Sequence, residues 1–337
     1  MLTKTKAAIV TTLFLSLGAQ ADTILNVATA GDQNMVDYVK TWLGPKFEAA
    51  HPGVKVRVIG TGPGDAGSNK ISEKLTAQQE SGAQQWDIDV AVVHQKAGGE
   101  QVAKGLLQKY RQDIQTGGMV SSPSATQALG VNVDGYVMPM FLSQTAIAWN
   151  SDLVTTPPAS YDELVAWTQK HPQAFGYNGI KNGMSGVSFV VGWIYAYGTA
   201  AQRLSAGPYD KSVEKGWQPA YEKLKAFNKN VTFTPGNAGT LDMLSRGEIA
   251  MGPVWVDMFY SWKDQGKLPP SIKLALLAPG MPGPPMYYVI PAKAANPQLA
   301  RDFIALATSP EVQAQGIVKQ FNWYPGIDAG QVKPKLD

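Results

Sequence analysis

Three closely spaced glycines have the pattern of a phosphate-binding loop. Gly62, Gly64 and Gly67 form G-x-G-x-x-G, which in dinucleotide-binding proteins lets a pyrophosphate approach a helix N-terminus. The alternation of apolar and charged residues over 54–58 predicts a strand before the loop, and helical spacing of apolar residues follows it. Pro63, within the loop, has no N–H to donate to a phosphate, which counts against nucleotide binding.

Polar residues follow three of the predicted strands. Asp32, Asp65 and His94 each lie in a loop at the carboxyl end of a strand. In an open parallel sheet, ligands bind beyond these strand ends, where helix N-termini supply free N–H groups. We therefore expect the three loops to meet at one site. The glycines would either let a ligand or a neighbouring backbone come close, or form a tight turn that touches nothing.

Trp255 is the aromatic residue that we expect to contact a ligand. It lies just beyond a predicted strand that ends in Gly252-Pro253. An indole in that position offers a flat face to a sugar ring or to another apolar surface. Most of the other aromatic residues are expected in the core.

The residue types that carry catalysis are sparse. The three histidines are His51, His94 and His171, and neither they nor the carboxylates have the spacing of a metal site. The chain has no G-x-S-x-G motif and no cysteine, so two common kinds of nucleophile are excluded. We therefore expect that this chain is not an enzyme and binds no metal or cofactor. Two alternatives from other functional classes are an exported enzyme and a structural protein.

The N-terminus has the features of a secretory signal peptide. Lys4 and Lys6 precede an apolar run over 7–18 and the sequence A-Q-A ending at Ala21. The run is shorter than the ~20 apolar residues that a membrane span needs. We expect cleavage after residue 21 and a periplasmic protein, free of a lipid anchor because no cysteine follows. Since that compartment holds no useful pool of NAD, the glycine loop is not expected to bind a dinucleotide.

The order of predicted elements indicates an α/β protein. Strands over 23–28, 54–58 and 88–93 alternate with helices, a pattern typical of a mostly parallel sheet covered on both faces. Pro45 should kink or restart the first helix. Helix starts are also predicted at three capping signals, which are Ser160 with Glu163, Asn296 with Pro297, and Ser309 with Pro310. The length of 337 residues suits two domains, and the net charge of +3 without a basic run suggests no nucleic-acid partner.

Several segments, in order, resemble the periplasmic solute-binding proteins of ABC importers, a family with maltose- and polyamine-binding members. They cover nearly the whole chain after the signal peptide. The similar segments are 46–56 (KFEAAHPGVKV), 86–90 (WDIDV), 138–153 with Trp149 in place of a tyrosine, 157–164 (PPASYDEL), 247–251 (GEIAM), 289–303 (from VIP to RDF) and 309–313 (SPEVQ).

The resemblance implies a two-lobed, type II-like α/β fold, with a mostly parallel sheet flanked by helices in each lobe and a hinge between them. It places lobe one at 22–138 plus 281–309 and lobe two at 139–280 plus 310–337. By position it implies a ligand site between the lobes. The resemblance places the following residues in this cleft: Asp32, Gln33, Asp65, His94, Gln95, Gln144, Ser185, Phe189, Trp255, Tyr287 and Trp323.

The resemblance also implies a monomeric receptor that delivers a small solute to an ABC transporter membrane permease. Acids, amides and aromatic side chains together suit a sugar, a polyol or a related polar molecule. A polyamine is an alternative, but polyamine-binding members have a carboxylate where this chain has Met286. A small organic anion, favoured by His94, is the other alternative.

Overall fold

The computed structural model describes residues 22–199 and 210–336. The expected signal peptide therefore lies outside the described residues. The strands are β1 Thr23–Ala30, β2 Val54–Gly62, β3 Val90–His94, β4 Gln127–Ala128, β5 Val131–Asn132, β6 Val137–Leu142, β7 Thr145–Asn150, β8 Phe175–Tyr177, β9 Val231–Phe233, β10 Met251–Trp255, β11 Ile272–Ala275, β12 Pro285–Val289 and β13 Tyr324–Pro325.

Helices connect and cover these strands. The α-helices are α1 Gln33–Asp37, α2 Gly44–Ala50, α3 Gly64–Glu80, α4 Gln95–Ala103, α5 Tyr161–Lys170, α6 Met184–Tyr197, α7 Gln218–Phe227, α8 Asn237–Ser245, α9 Val256–Asp264, α10 Pro297–Ala307, α11 Pro310–Val312 and α12 Ala329–Val332. The π-helical segments are Tyr38–Leu43 and Gln313–Gln320. The 3-10 turns are Arg111–Asp113, Gln115–Gly118, Pro123–Ala125, Lys211–Trp217, Asn228–Asn230 and Lys333–Lys335.

The first lobe is built on a six-stranded sheet with the order β13-β6-β12-β3-β1-β2. β1 pairs in parallel with β2 and β3, as expected for the β-α-β-α-β segment. β12 is antiparallel to β3 and β6, so the sheet is mixed rather than mostly parallel. Apolar clusters on both faces pack it between α1, α2 and α10 on one side and α3 and α4 on the other.

The second lobe is built on a five-stranded sheet with the order β11-β7-β10-β8-β9. β8 is parallel to β9 and β10, whereas β7 is antiparallel to β10 and β11. Residues of α5, α6 and α7 form the apolar cluster on one face, and residues of α8 and α9 form the cluster on the other. The α/β fold with two lobes, each a sheet flanked by helices, is confirmed.

The C-terminal segment packs in the first lobe, although we expected residues 310–337 in lobe two. Val312, Ile317 and Trp323 are buried in the apolar cluster of the six-stranded sheet. The indole of Trp323 stacks on Phe141, with ring centroids 4.4 Å apart. β13 then extends this sheet by pairing with β6, so residues 139–142 belong to the same lobe. Burial of these apolar side chains on the nearer sheet accounts for the difference.

Local signals in the sequence largely correspond to helix boundaries. The backbone is π-helical up to Leu43, and α2 then starts with Pro45 in its first turn. In that position the missing N–H of proline costs no helical hydrogen bond. The Ser160 side chain accepts a hydrogen bond from the N–H of Glu163 and caps α5. Asn296 precedes α10 without capping it; its side chain instead donates to the carbonyl of Ile24 and contacts Asp89.

The glycine loop is shaped by its own backbone. Gly62 and Gly64 have φ values of +101° and +64°, which residues with a Cβ adopt only under strain. A Cβ on Gly67 would overlap the carbonyl oxygen of Gly62. Gly67 is therefore required for a close approach between two parts of the loop. Gly64 also lines a cavity between the lobes, so part of the glycine loop borders that cavity.

Within the described residues, no helix combines the length and the apolar character that crossing a bilayer requires.

Candidate functional site

A cavity of about 440 Å³, here called the main chamber, lies between the two lobes. From the first lobe it is lined by Asp65, His94 and Gln95, which lie at the carboxyl ends of β2 and β3 and at the starts of α3 and α4. From the second lobe it is lined by α6 and by Trp217. The contributing α6 residues recur at helical spacing and are Met184, Val187, Ser188, Val191, Ile194 and Tyr195.

A second, smaller cavity of about 20 Å³, here called the inner pocket, adjoins the main chamber. Its volume corresponds to about one water-sized group. Both cavities are lined in part by His94, Met184 and Pro284, so they form adjacent parts of one site. The polar side chains of the inner pocket are Asp32, Asn34, His94, Ser143, Asn237 and Asp257.

Two hydrogen bonds cross between the lobes at the inner pocket. The amide of Asn237 donates to Oδ2 of Asp32 at 3.1 Å. The amide of Asn34 donates to Oδ2 of Asp257 at 3.0 Å. Each lobe thus contributes one carboxylate and one amide to a reciprocal pair of contacts, and these contacts can exist only while the lobes are together.

The two carboxyl groups of the inner pocket are held in an unfavourable environment for charge. Burial raises the pKa of Asp257 to about 6, and the nearby Asp32 adds to the rise. The Trp323 indole and the Asn34 amide beside the carboxyl partly oppose it. Burial also raises the pKa of Asp32, while its hydrogen bond from Asn237 lowers it. Bringing the lobes together therefore places two costly carboxylates at one point.

His94 is oriented by Ser68. The Ser68 hydroxyl accepts the backbone N–H of His94 at 3.1 Å and lies 2.9 Å from its Nδ1. Because the hydroxyl oxygen already accepts one hydrogen, it can donate its own to Nδ1, which leaves the ring proton on Nε2. Burial lowers the pKa of His94, and Asp65 partly opposes this. A neutral imidazole with an Nε2 donor is the form that this environment favours.

Five of the expected site residues line the two cavities. They are Asp32, Asp65, His94, Gln95 and Trp255. Trp255 is 8% exposed and also belongs to an apolar cluster of the second lobe. The rule that ligands bind beyond strand ends thus identified one connected region of the molecule.

The structure places the other six expected residues elsewhere. Gln33 is exposed and donates to Asp37, and Gln144 lies on a different face, where its carbonyl accepts from the N–H of Val256. Ser185 is buried and donates to Oδ1 of Asn237.

Phe189 lies on the α6 face opposite the chamber, packed on Phe175 in the core of the second lobe. Tyr287 is fully buried and donates to the carbonyl of Ser124. Trp323 is buried in the first lobe with its indole beside the Asp257 carboxyl, but it lines neither cavity. Phe189 and Tyr287 lie in the cores because their helix and strand turn those faces inward, whereas Trp323 belongs to the irregular segment before β13.

Sequence reasoning did not assign Asn34, Asn237 or Asp257 to the site. Asn34 and Asp257 each lie two residues beyond a residue that was assigned, Asp32 and Trp255 respectively. A wider window after each strand end would have included both. The apolar chamber wall on α6 carried no comparable signal, because valines at helical spacing are typical of any buried helix face.

Among residues 22–199 and 210–336, no group of three or more His, Asp or Glu side chains could hold a metal ion.

Comparisons with known proteins agree with this architecture. Residues 42–328 match the family model described as bacterial extracellular solute-binding protein. None of the curated proteins is significantly similar to this chain in sequence.

Similar folds occur among solved structures. A putative extracellular solute-binding protein from Bordetella parapertussis has a TM-score of 0.70 at 17% identity, covering 91% of this chain and 86% of that one. Maltose-bound MalE3 of T. maritima has a TM-score of 0.72 at 16% identity, covering 93% and 84%. The spermidine/putrescine ABC transporter substrate-binding protein PotD from Streptococcus pneumoniae has a TM-score of 0.68 at 15% identity, covering 94% and 86%.

At these identities the solved structures establish the fold, and the family model covers most of the chain. Together with two lobes that enclose a cavity, they show that this chain belongs to the bacterial extracellular solute-binding protein family.

Proposed function

We propose that this chain is the receptor of an ABC importer, which binds a small solute between its two lobes and delivers it to the membrane permease. The main chamber carries this proposal. Its volume of about 440 Å³ falls within the range of about 300–1,000 Å³ that is usual for ligand sites. Its walls come from both lobes, so a bound solute would favour the state in which the lobes are together.

The chamber has two kinds of wall. Polar groups at the ends of β2 and β3 face an apolar surface that includes Val187, Val191 and Trp217. This division suits a solute with hydrogen-bonding groups on one side and a substantial apolar face on the other. A sugar or polyol is one such class, because ring C–H groups can pack on an indole while hydroxyls meet amides and carboxylates.

The lobes are proposed to meet near Ser143 and Pro284. There the chain crosses from β6 to β7 and returns from β11 to β12, and the N–H of Ser143 donates to the carbonyl of Pro284 at 3.1 Å. We propose lobe one as 22–142 with 284–336 and lobe two between them. Hinge rotation about these crossings would open the chamber.

Mass spectrometry of gently purified protein under native conditions tests the proposed function. We expect a small molecule to remain bound, and its mass identifies the chemical class. Recovery of the molecule unchanged after incubation supports a receptor, whereas its conversion to a product would indicate an enzyme. N-terminal sequencing of the periplasmic fraction tests the proposed localisation: we expect Asp22 as the first residue, and a retained Met1 would contradict export by cleavage.

A variant that fills the chamber tests the position of the site. Val191→Trp places an indole in the chamber and should abolish solute binding, measured by calorimetry with the recovered molecule. Leu153→Trp is the matched control because Leu153 is 57% exposed just after β7, at the end of that strand away from the cleft. Equal affinity of the two variants would refute the chamber as the binding site.

A further inference from the structure

We infer that the solute carries a cationic amino group, and that this group binds in the inner pocket between Asp32 and Asp257, beside Trp255. This inference rests on the proposed receptor function and narrows its solute class. It follows from the hydrogen-bonding balance, the charge and the size of the inner pocket.

The inner pocket places two carboxyl groups around a space of about one water molecule. Asp32 and Asp257 each accept a hydrogen bond from a neutral amide, and in the described part of the chain neither has a lysine or arginine partner. Asp257 is 7% exposed, so water has little access to its carboxyl group. Oδ1 of Asn34 is also buried without a hydrogen-bond partner. The Trp323 indole also lies beside the Asp257 carboxyl, but it is a neutral donor and leaves the negative charge unbalanced. A cationic group that only donates hydrogen bonds would satisfy these oxygen acceptors.

The charges point in the same direction. The two carboxylates come from different lobes, so lobe closure brings like charges together. They repel each other unless a cation lies between them. An ammonium group would convert that repulsion into attraction from both lobes at once. Cation binding would therefore stabilise the closed arrangement, which is what a solute of a two-lobed receptor has to do.

Size and surroundings select an amino group. A volume of about 20 Å³ admits a group of about the size of one water, such as –NH₃⁺, but no hydrated metal ion. Trp255 lines the same pocket, and an indole face attracts cations through its ring electrons. The adjoining chamber offers Val187, Val191 and Trp217 to the rest of the solute. The expected solute is thus an amine with an apolar alkyl or aryl body.

Lys96 lines the main chamber, but its positive charge does not favour an anionic solute. Lys96 lies 3.9 Å from Asp65 and 3.5 Å from Glu100, so two carboxylates already surround its ammonium group.

Matched pairs of probes test this inference directly. We would measure by calorimetry the binding of 2-phenylethylamine, cyclohexylamine and n-hexylamine, each compared with the alcohol of the same carbon skeleton. At least one amine should bind at least tenfold more tightly than its alcohol. Alcohols that bind as well as their amines, or a complete lack of amine binding, would overturn the inference.

Two charge-removing variants and one control locate the amino group. Asp257→Asn and Asp32→Asn keep side-chain shape and should each weaken amine binding at least tenfold, while leaving the melting temperature at or above that of wild type. Asp152→Asn removes an exposed carboxylate from the second lobe, beyond the end of β7 that is away from the cleft, and should change nothing. Amine binding that survives both pocket variants would also overturn the inference.

The outcome is distinguishable from failure of the receptor function. If the molecule recovered from the purified protein is neutral or anionic and its binding is lost in Val191→Trp, the receptor stands and the cationic class is wrong. If nothing is recovered and no amine or alcohol binds to wild type, both are wrong.

Discussion

Replacing Asp257 with asparagine should make the stability of the solute-free protein less dependent on pH. Burial raises the pKa of this carboxyl from 3.8 to about 6. In the folded state it therefore keeps a proton at pH values where the unfolded chain has already lost it. The resulting stabilisation is complete below pH ~4 and disappears as the pH rises through ~6. A shift of about two pKa units corresponds to about 3 kcal/mol of unfolding free energy.

Wild type should thus lose about 3 kcal/mol between pH 4 and pH 8 relative to Asp257→Asn, which has no carboxyl to desolvate. Urea unfolding followed by tryptophan fluorescence, at several pH values in this interval, measures both proteins. The quantity of interest is the difference between their unfolding free energies at each pH, because it cancels the titration of all other groups. At pH 8 the variant should be the more stable of the two.

The exposed Asp152, beyond the end of β7 that is away from the cleft, provides the control. Asp152→Asn, measured over the same pH range, gives the effect of removing a surface carboxylate. A difference between wild type and Asp257→Asn that stays constant from pH 4 to pH 8 would refute the reasoning, as would a variant that becomes relatively less stable as the pH rises. Either result would mean that Asp257 is not held in a costly charged form.

Three further predictions follow from the site and the loop. Trp255→Phe should weaken solute binding by about 1–3 kcal/mol in calorimetry, and because Trp255 is also part of an apolar cluster, it should lower the melting temperature as well; unchanged affinity would remove Trp255 from the site. Putrescine and spermidine should bind more weakly than a monoamine with an apolar body, since Met286, buried beside the inner pocket, offers a second ammonium group no charge; micromolar affinity for either would contradict this. Gly67→Ala should destabilise the fold by about 2 kcal/mol or more, because its Cβ would overlap the Gly62 carbonyl, whereas Gly118→Ala, which meets open space, should cost far less; equal unfolding free energies would show that the loop can relax.

Local sequence patterns determined individual strands and helices in both lobes. A largely apolar run predicted β1, apolar alternation predicted β2, and Ser160 marked the start of α5, because such patterns and capping depend only on near neighbours along the chain. The rule for strand ends also brought Asp32, Asp65 and His94 to one region, since parallel strands end at one edge of a sheet.

The tertiary structure alone decided which faces of those elements line the cavities. Phe189 and Val191 are two residues apart on α6, yet the first packs in the core and the second lines the chamber. The resemblance placed Trp323 in the cleft by position, but this residue is buried in the apolar cluster of the first lobe. The pairing of Asp32 with Asn237 and of Asn34 with Asp257 joins residues more than 200 positions apart. Such contacts depend on how two separately folded sheets approach each other, and neither periodicity nor capping along the chain carries that information.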